Sequence, residues 1–341
     1  MKSKAVFTIL GGGTGQSNIL RGLKKFDVVL NSVVTMADDG GSSGILRNEM
    51  NILPPGDLRN CILALSDTEP EMEKLFQYRF QKGSLKGQNF GNLFLAAMHD
   101  IHGDFKKAIS YTSKILAVRG NVYPVTYDNI NLLARLKNGN IVYGESNISK
   151  EVIKQKSKID RVYFEPEYVK ASEDAIKAIK NSDVIIAGPG SLYTSIFPVI
   201  LIDEIKNELE KSTAVKIFIT NIMTENGETD EFSSSDFYKE LGKNGCASLF
   251  DYYVLNVGEV PEKIYLKYRK KGQDIVKIND SDKDFFSVNN IKTINENLVF
   301  IKDGLVFHDN LRVSKIVAEI FERTYDKKLS FIMKDGSYDF F

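Results

Sequence analysis

The chain has 341 residues, of which 43% are hydrophobic and 26% are charged, as in an ordinary globular protein. Lys and Arg together number 45, and Asp and Glu also number 45, so the formal net charge is zero. This balance argues against attraction of the whole chain to nucleic acid or to an anionic membrane, and we predict no nucleic-acid partner. Cys61 and Cys246 lack CxxC spacing, which predicts buried thiols and no zinc or disulfide framework.

The apolar run over residues 5–10 is shorter than a signal-peptide core. No later run reaches the roughly 18 apolar residues of a membrane helix, so we expect a cytoplasmic chain without a transmembrane segment. Residues 1–325 are expected to form a single nucleotide-binding α/β domain, with a β-rich section near 120–150 and a C-terminal tail at 326–341. Assembly into a homo-oligomer is also expected.

Strand, glycine-rich turn and helix alternate along most of the chain. The predicted strands cover residues 5–10, 28–35, 183–187, 216–221 and 252–257. The predicted helices cover residues 17–25, 58–65, 74–80, 92–99, 171–180, 262–271 and 313–324. Between about 122 and 148 the pattern becomes antiparallel around the Asn138-Gly139 hairpin signal. The order predicts a doubly wound α/β fold with a mainly parallel sheet and a small antiparallel section.

A glycine-rich loop directly follows the first predicted strand. Gly12, Gly13 and Gly15 leave the backbone N–H groups open to an anion, Thr14 adds a hydroxyl donor, and a helix N-terminus follows. The loop lacks the Gly-Lys-Ser/Thr ending of a P-loop, and Gln16 breaks the GxGxxG pattern. It predicts a phosphate cradle; the alternative is a tight turn without a ligand.

Polar loops also follow the other predicted strands, and the carboxyl ends of parallel strands meet at one edge of a sheet. One of the adjacent carboxylates Asp38 and Asp39 is expected to face a ligand while the other braces the loop. Arg59 either clamps a phosphate or pairs with a nearby aspartate. The candidate site residues in these loops are Asp38, Asp39, Ser42, Ser43, Arg59, Asn60, Asn92, Gly188, Gly190, Ser191 and Asn221.

Seven motifs in fixed order resemble the gluconeogenesis factor family (YvcK-like), within the superfamily of the 2-phospho-L-lactate transferase CofD. They are GGGTGQSNILRGL, VVTMADDGGSSGILR, PPGDLRNCILAL, GNLFLAAM, LAVRGNVYPVT, VIIAGPGSLYTSIFP and NIMTENGET, over about residues 6–230. The resemblance implies a Rossmann-like fold that binds a UDP-sugar such as UDP-GlcNAc. It also implies a role in cell shape and envelope synthesis during gluconeogenic growth, through cell-wall synthesis proteins as partners.

The same resemblance leaves two activities open. A non-catalytic nucleotide-sugar sensor requires no cofactor and has no catalytic residue. A transferase of the 2-phospho-L-lactate type uses a nucleotide-activated donor and Mg²⁺, with Asp38 and Asp39 as the metal ligands only in that case. A dinucleotide-dependent oxidoreductase is a weaker third reading, because GxGxxG is missing.

By position in the family, the loop at Gly12–Gly15 holds phosphates, and Tyr268 in LKYRKKG is expected to contact the nucleotide. The sequence departs from the family pattern at Gln88, where His is common, and at Glu225, where Gln is common. It also has Phe307-His308-Asp309 where relatives have Arg-His-Asp, which removes a cationic contact to the ligand.

Overall fold

The computed structural model describes residues 4–332 and the backbone of residues 338–340. Its strands, in chain order, are β1 (Val6–Gly11), β2 (Val29–Val34), β3 (Asn121–Pro124), β4 (Asn131–Leu136), β5 (Ile141–Tyr143), β6 (Ile159–Glu165), β7 (Val184–Ala187), β8 (Val215–Ile219), β9 (Tyr252–Asn256), β10 (Thr293–Glu296), β11 (Val299–Lys302), β12 (Leu305–His308), β13 (Ser330–Ile332) and β14 (Tyr338–Phe340).

The helices, in chain order, are α1 (Gly13–Leu23), α2 (Gly41–Met50), α3 (Pro55–Leu65), α4 (Pro70–Gln77), α5 (Phe90–His102), α6 (Phe105–Ile115), α7 (Glu145–Gln155), α8 (Glu173–Lys180), α9 (Phe197–Ile200), α10 (Asp203–Lys211), α11 (Ser234–Lys243), α12 (Glu262–Arg269), α13 (Asp280–Val288) and α14 (Asn310–Tyr325). A π-helical turn, Leu192–Ile196, precedes α9. No helix in the described part of the chain is long and apolar enough to cross a membrane.

Seven parallel strands form the central sheet in the order β10-β9-β8-β7-β1-β2-β3. The chain winds outward from β1 to β3, returns to β7 beside β1, and winds outward again to β10. This Rossmann-like order confirms the predicted fold class and puts the topological switch point between β1 and β7. β7 is buried along its whole length, as expected for a strand whose two faces are covered by helices.

The segment near 120–150 divides between two sheets. β3 pairs in parallel with β2 in the central sheet, so the prediction that this strand belongs to the antiparallel section is wrong. β4 and β5 form the predicted hairpin, and β6, further along the chain, completes a separate antiparallel sheet in the order β5-β4-β6. The tail begins with β13, which pairs with β14; residues 333–337 and 341 lie outside the described residues.

Helix boundaries follow local chemistry in several places. α8 is capped by Ser172, whose hydroxyl accepts the N–H of Ala175, and α5 ends at the left-handed Gly103. α1 starts at Gly13, four residues before the predicted position, so the glycine-rich loop is itself the first turn of the helix. Cys61 and Cys246 are buried free thiols, as predicted.

Candidate functional site

A cavity of about 340 Å³ opens at the carboxyl ends of β1, β7 and β8. This volume lies within the range of small-ligand sites, and the switch point of a doubly wound sheet is where such sites occur. The cavity brings together predicted residues from three loops and from α12. These are Thr14, Gly15, Gly190, Asn221 and Tyr268.

A second cavity, of about 470 Å³, adjoins the first. Thr14, Asn18 and Phe307 line both, so the two cavities form one cleft that bends around the start of α1. The predicted residues Arg59 and Asn60 line the second cavity. The remaining predicted residues, described below, line neither cavity and hold the loops in place.

The glycines of the first loop are required for two different reasons. Gly12 has an extended backbone, but a Cβ there would stand 2.5 Å from Oδ2 of Asp57 and 2.6 Å from Cγ2 of Thr35. Gly13 has a φ of +65°, the left-handed conformation that favours glycine. The exposed Thr14 then lies in the first turn of α1, where the helix dipole favours an anion.

Asp57, at the start of α3, contacts the glycine-rich loop and was not selected as a site residue from the sequence. Its carboxylate accepts the backbone N–H of Gly13. Loss of water around the carboxyl group, with a smaller contribution from the charge of Asp38, raises the pKa of Asp57 to about 7. A neutral carboxyl group beside the cradle is therefore readily formed near physiological pH. The PPGD stretch marked this turn in the sequence, but not its contact with Gly13.

The two adjacent aspartates brace two different helices. Asp38 accepts the N–H of Gly40 at 2.9 Å and the hydroxyl of Ser43, and its burial raises its pKa. Asp39 accepts the N–H of Ser146 at 2.9 Å, at the start of α7. No group of three His, Cys, Asp or Glu side chains in the described residues is arranged to hold a metal ion.

Five polar side chains form a network beneath the second cavity. The Ser42 hydroxyl donates to Oε1 of Gln88 at 2.7 Å and accepts from Nδ2 of Asn92 at 3.2 Å. Arg59 donates to Oδ1 of Asn92 at 3.0 Å and to Oδ1 of Asn60 at 2.7 Å. Of the two roles predicted for Arg59, the pairing with an aspartate is not made; its direct partners are neutral amides.

The loop after β7 is fixed to the loop after β8. The N–H of Gly190 donates to Oδ1 of Asn221 at 3.1 Å, and the Ser191 hydroxyl donates to Glu228. Gly188 has a φ of +81° and packs against the backbone of Ile219 at the end of β8. Gly190 and Asn221 thus form one wall of the first cavity, while Ser191 is committed to a half-buried carboxyl group.

Glu225 lines the first cavity and forms a half-buried carboxyl pair with Glu228, a pair that sequence reasoning did not predict. Asn221 donates to Oε1 of Glu225 at 3.3 Å, and the two carboxyl groups hydrogen-bond to each other. Burial raises the pKa of Glu225 to about 7, and burial with the neighbouring charge raises that of Glu228 well above its ordinary value. Two such groups cannot both ionise, so the pair holds at least one proton near neutral pH.

Tyr268, Phe307 and His308 form the opposite wall of the first cavity. The phenolic oxygen of Tyr268 accepts the N–H of Val306 at 2.9 Å, which ties α12 to β12. His308 donates from Nε2 to the carbonyl of Thr220 at 2.9 Å, and burial lowers its pKa to about 4, so its ring is neutral at pH 7.

The parallel strand order and the cleft at its switch point define a Rossmann-like α/β protein with a ligand cavity. The family model described as 2-phospho-L-lactate transferase CofD matches residues 7–299. A gluconeogenesis factor relative from Clostridium acetobutylicum is 49% identical over 325 residues, which cover 95% of this chain and 71% of the relative. The chain belongs to the gluconeogenesis factor family, within the CofD superfamily.

Two further similarities support this assignment. The gluconeogenesis factor of Bacillus subtilis is 41% identical over 321 residues, covering 94% of this chain and 99% of the relative. The crystal structure of a UPF0052 family member from Bacillus halodurans superposes with a TM-score of 0.87 at 41% identity, covering 92% of this chain and 99% of that one. The likeness thus extends over more than nine-tenths of the chain in both comparisons.

Proposed function

We propose that the cleft binds a nucleotide-sugar of the UDP-GlcNAc type and that the chain acts as a sensor without catalysing a reaction. The observation that carries the proposal is the first cavity at the switch point, which combines an exposed helix N-terminus at Thr14 with a wall of aromatic and amide side chains. The N–H groups in the first turn of α1 can bind phosphates. The uncharged side chains of Tyr268 and Asn221 can hold a uridine between them.

The sensor reading fits how the polar groups are used. Ser191 is bonded to Glu228, and the neutral His308 is bonded to a backbone carbonyl, so neither side chain is positioned as a free nucleophile or base. We propose that the ligand-bound chain interacts with cell-wall synthesis proteins and so affects cell shape and envelope synthesis during gluconeogenic growth. Cytoplasmic location, homo-oligomer formation and independence from Mg²⁺ are parts of this proposal.

Titration calorimetry with UDP-GlcNAc tests it. Replacing Thr14 by Val keeps the volume of an exposed residue and removes one donor, so affinity should fall about tenfold, the effect of one hydrogen bond to a charged group. Thr213→Val is the matched control at an exposed position outside the cleft and should bind normally. No heat with the wild-type chain up to millimolar ligand would contradict the proposal.

The transferase alternative is favoured by one observation, the Glu225–Glu228 pair in the cavity wall. Its retained proton near pH 7 is what a general acid requires. Incubation with nucleotide-activated donors, candidate acceptors and Mg²⁺, followed by mass spectrometry, separates the two readings. Turnover that is lost in Glu225→Gln supports a transferase, whereas tight binding without turnover supports a sensor.

A further inference from the structure

The second cavity is lined by an excess of positive charge. Four basic side chains line it, and among the described lining residues none is acidic. They come from α1, α3, the segment after α4, and the end of β11. These side chains are Arg21, Arg59, Arg79 and Lys302.

The partners of these cations differ. Arg21 pairs at 2.7 Å with Glu73, which does not line the cavity. Arg59 bonds only to amide oxygens, and its Nε is buried without a hydrogen-bond partner. Arg79 donates to the carbonyl of Gly87 at 2.5 Å, and within the described part of the chain neither it nor Lys302 has a carboxylate partner.

Burial and the nearby charge of Arg79 lower the pKa of Arg59 to about 10, and the opposing effects of Asp57 and Asp38 are weaker. Arg59 therefore lies in a positive field, beside a like charge and partly removed from water. Such an arrangement is unfavourable in the free protein and is relieved by an anion. Guanidinium groups also match the geometry of phosphate oxygens.

We propose that this basic cavity binds a phosphate or diphosphate group through Arg59, Arg79 and Lys302. It adjoins the cavity of Tyr268, and binding of a phosphate group in it does not require a nucleotide-sugar in that cavity. Thr14 and Asn18 lie at the junction, so the group is either the diphosphate of a ligand in the first cavity or a separate phosphate ester.

Calorimetry of the full chain with inorganic pyrophosphate, at constant ionic strength, tests the site. Arg79→Gln and Lys302→Gln change exposed residues, and each should weaken pyrophosphate binding about tenfold, the effect of one charge-assisted contact. Lys82→Gln removes an exposed charge outside the cavity and should leave binding unchanged. Circular dichroism checks that each variant is folded.

Competition with UDP-GlcNAc distinguishes the two sources of phosphate. If UDP-GlcNAc displaces pyrophosphate and binds more weakly to Arg79→Gln, the basic cavity holds the diphosphate of the nucleotide-sugar. If pyrophosphate still binds to the chain saturated with UDP-GlcNAc, the basic cavity holds a separate phosphate ester. If pyrophosphate binds and UDP-GlcNAc does not, the result supports the phosphate site in the basic cavity and contradicts the proposed function. The inference is overturned if wild type does not bind millimolar pyrophosphate, or if the Arg79→Gln/Lys302→Gln double variant binds it equally well.

Discussion

Gly15 lies so close to the carbonyl oxygen of Pro189 that a Cβ on Gly15 would stand 2.2 Å from that oxygen. Gly15 is within α1, so the glycine is needed for close approach and not for an unusual backbone angle. The contact joins the loops after β1 and β7 across the switch point. It fixes the floor of the first cavity, since Gly15 and Pro189 both line it.

Gly15→Ala should destabilise the protein by about 1–3 kcal/mol, because the clash is with backbone and can be relieved only by separating the two loops. Urea unfolding measures the change. Gly190→Ala is the control in the same interface, because its Cβ would be 3.6 Å from Cβ of Ser195 and 3.7 Å from the Gly12 carbonyl. Stability of Gly190→Ala should stay within about 0.5 kcal/mol. Equal stabilities of the two variants would contradict this role for Gly15.

The central sheet was predictable because buried parallel strands are continuous apolar runs that end in glycine or polar loops. All five predicted strands belong to it, and their loops meet at the expected edge. The sequence could not show which side chains in those loops turn toward the cavity. Asp38 and Asp39 follow β2, the neighbour of β1 in the sheet, but Oδ1 of each accepts a backbone N–H, from Gly40 before α2 and from Ser146 in α7.

The helix α2 was missed because its first residues, Gly41-Ser-Ser-Gly44, have low helix propensity and resemble a loop. Tertiary contacts override propensity there. Ser42 bonds to Gln88 and Asn92, and a Cβ on Gly44 would stand only 1.9 Å from the carbonyl of Asp39. The acidic residues Glu145, Glu225 and Glu228 were missed because tertiary structure, not sequence proximity, brings Glu145 close to Thr194 and to the Glu225–Glu228 pair.

Asp57→Asn should strengthen binding of UDP-GlcNAc, and more at pH 8 than at pH 6. The carboxylate contacts the N–H of Gly13 and has a pKa of about 7, so at pH 8 its negative charge opposes a phosphate at the cradle. Removing that charge should improve affinity about tenfold at pH 8, measured by calorimetry. A loss of affinity that appears only with Mg²⁺ would show instead that Asp57 binds phosphate through a metal ion.

Glu225→Gln should stabilise the protein at pH 8 and have little effect at pH 4. The pKa of Glu225 is raised from its ordinary value of 4.5 to about 7, so the folded state holds a proton that the unfolded chain releases. Stability from this group is present below about pH 4.5 and is lost as pH rises toward about 7. Gln carries no proton to lose, and the gain at pH 8 should be about 2 kcal/mol.

Guanidinium unfolding at pH 4, 6 and 8 measures the effect of this substitution. Glu231→Gln is the control, because Glu231 is an exposed carboxylate whose pKa is lowered by its hydrogen bond to Lys158. It should give no stabilisation at pH 8. A Glu225→Gln effect that does not vary with pH would show that the Glu225–Glu228 pair does not share a proton.

His308→Gln should remove part of the acid sensitivity of the fold. Burial lowers the pKa of His308 from 6.5 to about 4, so the folded state disfavours the charged ring. Its contribution is complete above about pH 6.5 and is lost as pH falls toward 4, by up to about 3 kcal/mol. Gln can still donate to Thr220 but cannot become charged, so the variant should gain stability relative to wild type between pH 6.5 and 4.5 in urea unfolding. A constant difference between His308→Gln and wild type across this pH range would show that the His308 ring is not kept neutral by the fold.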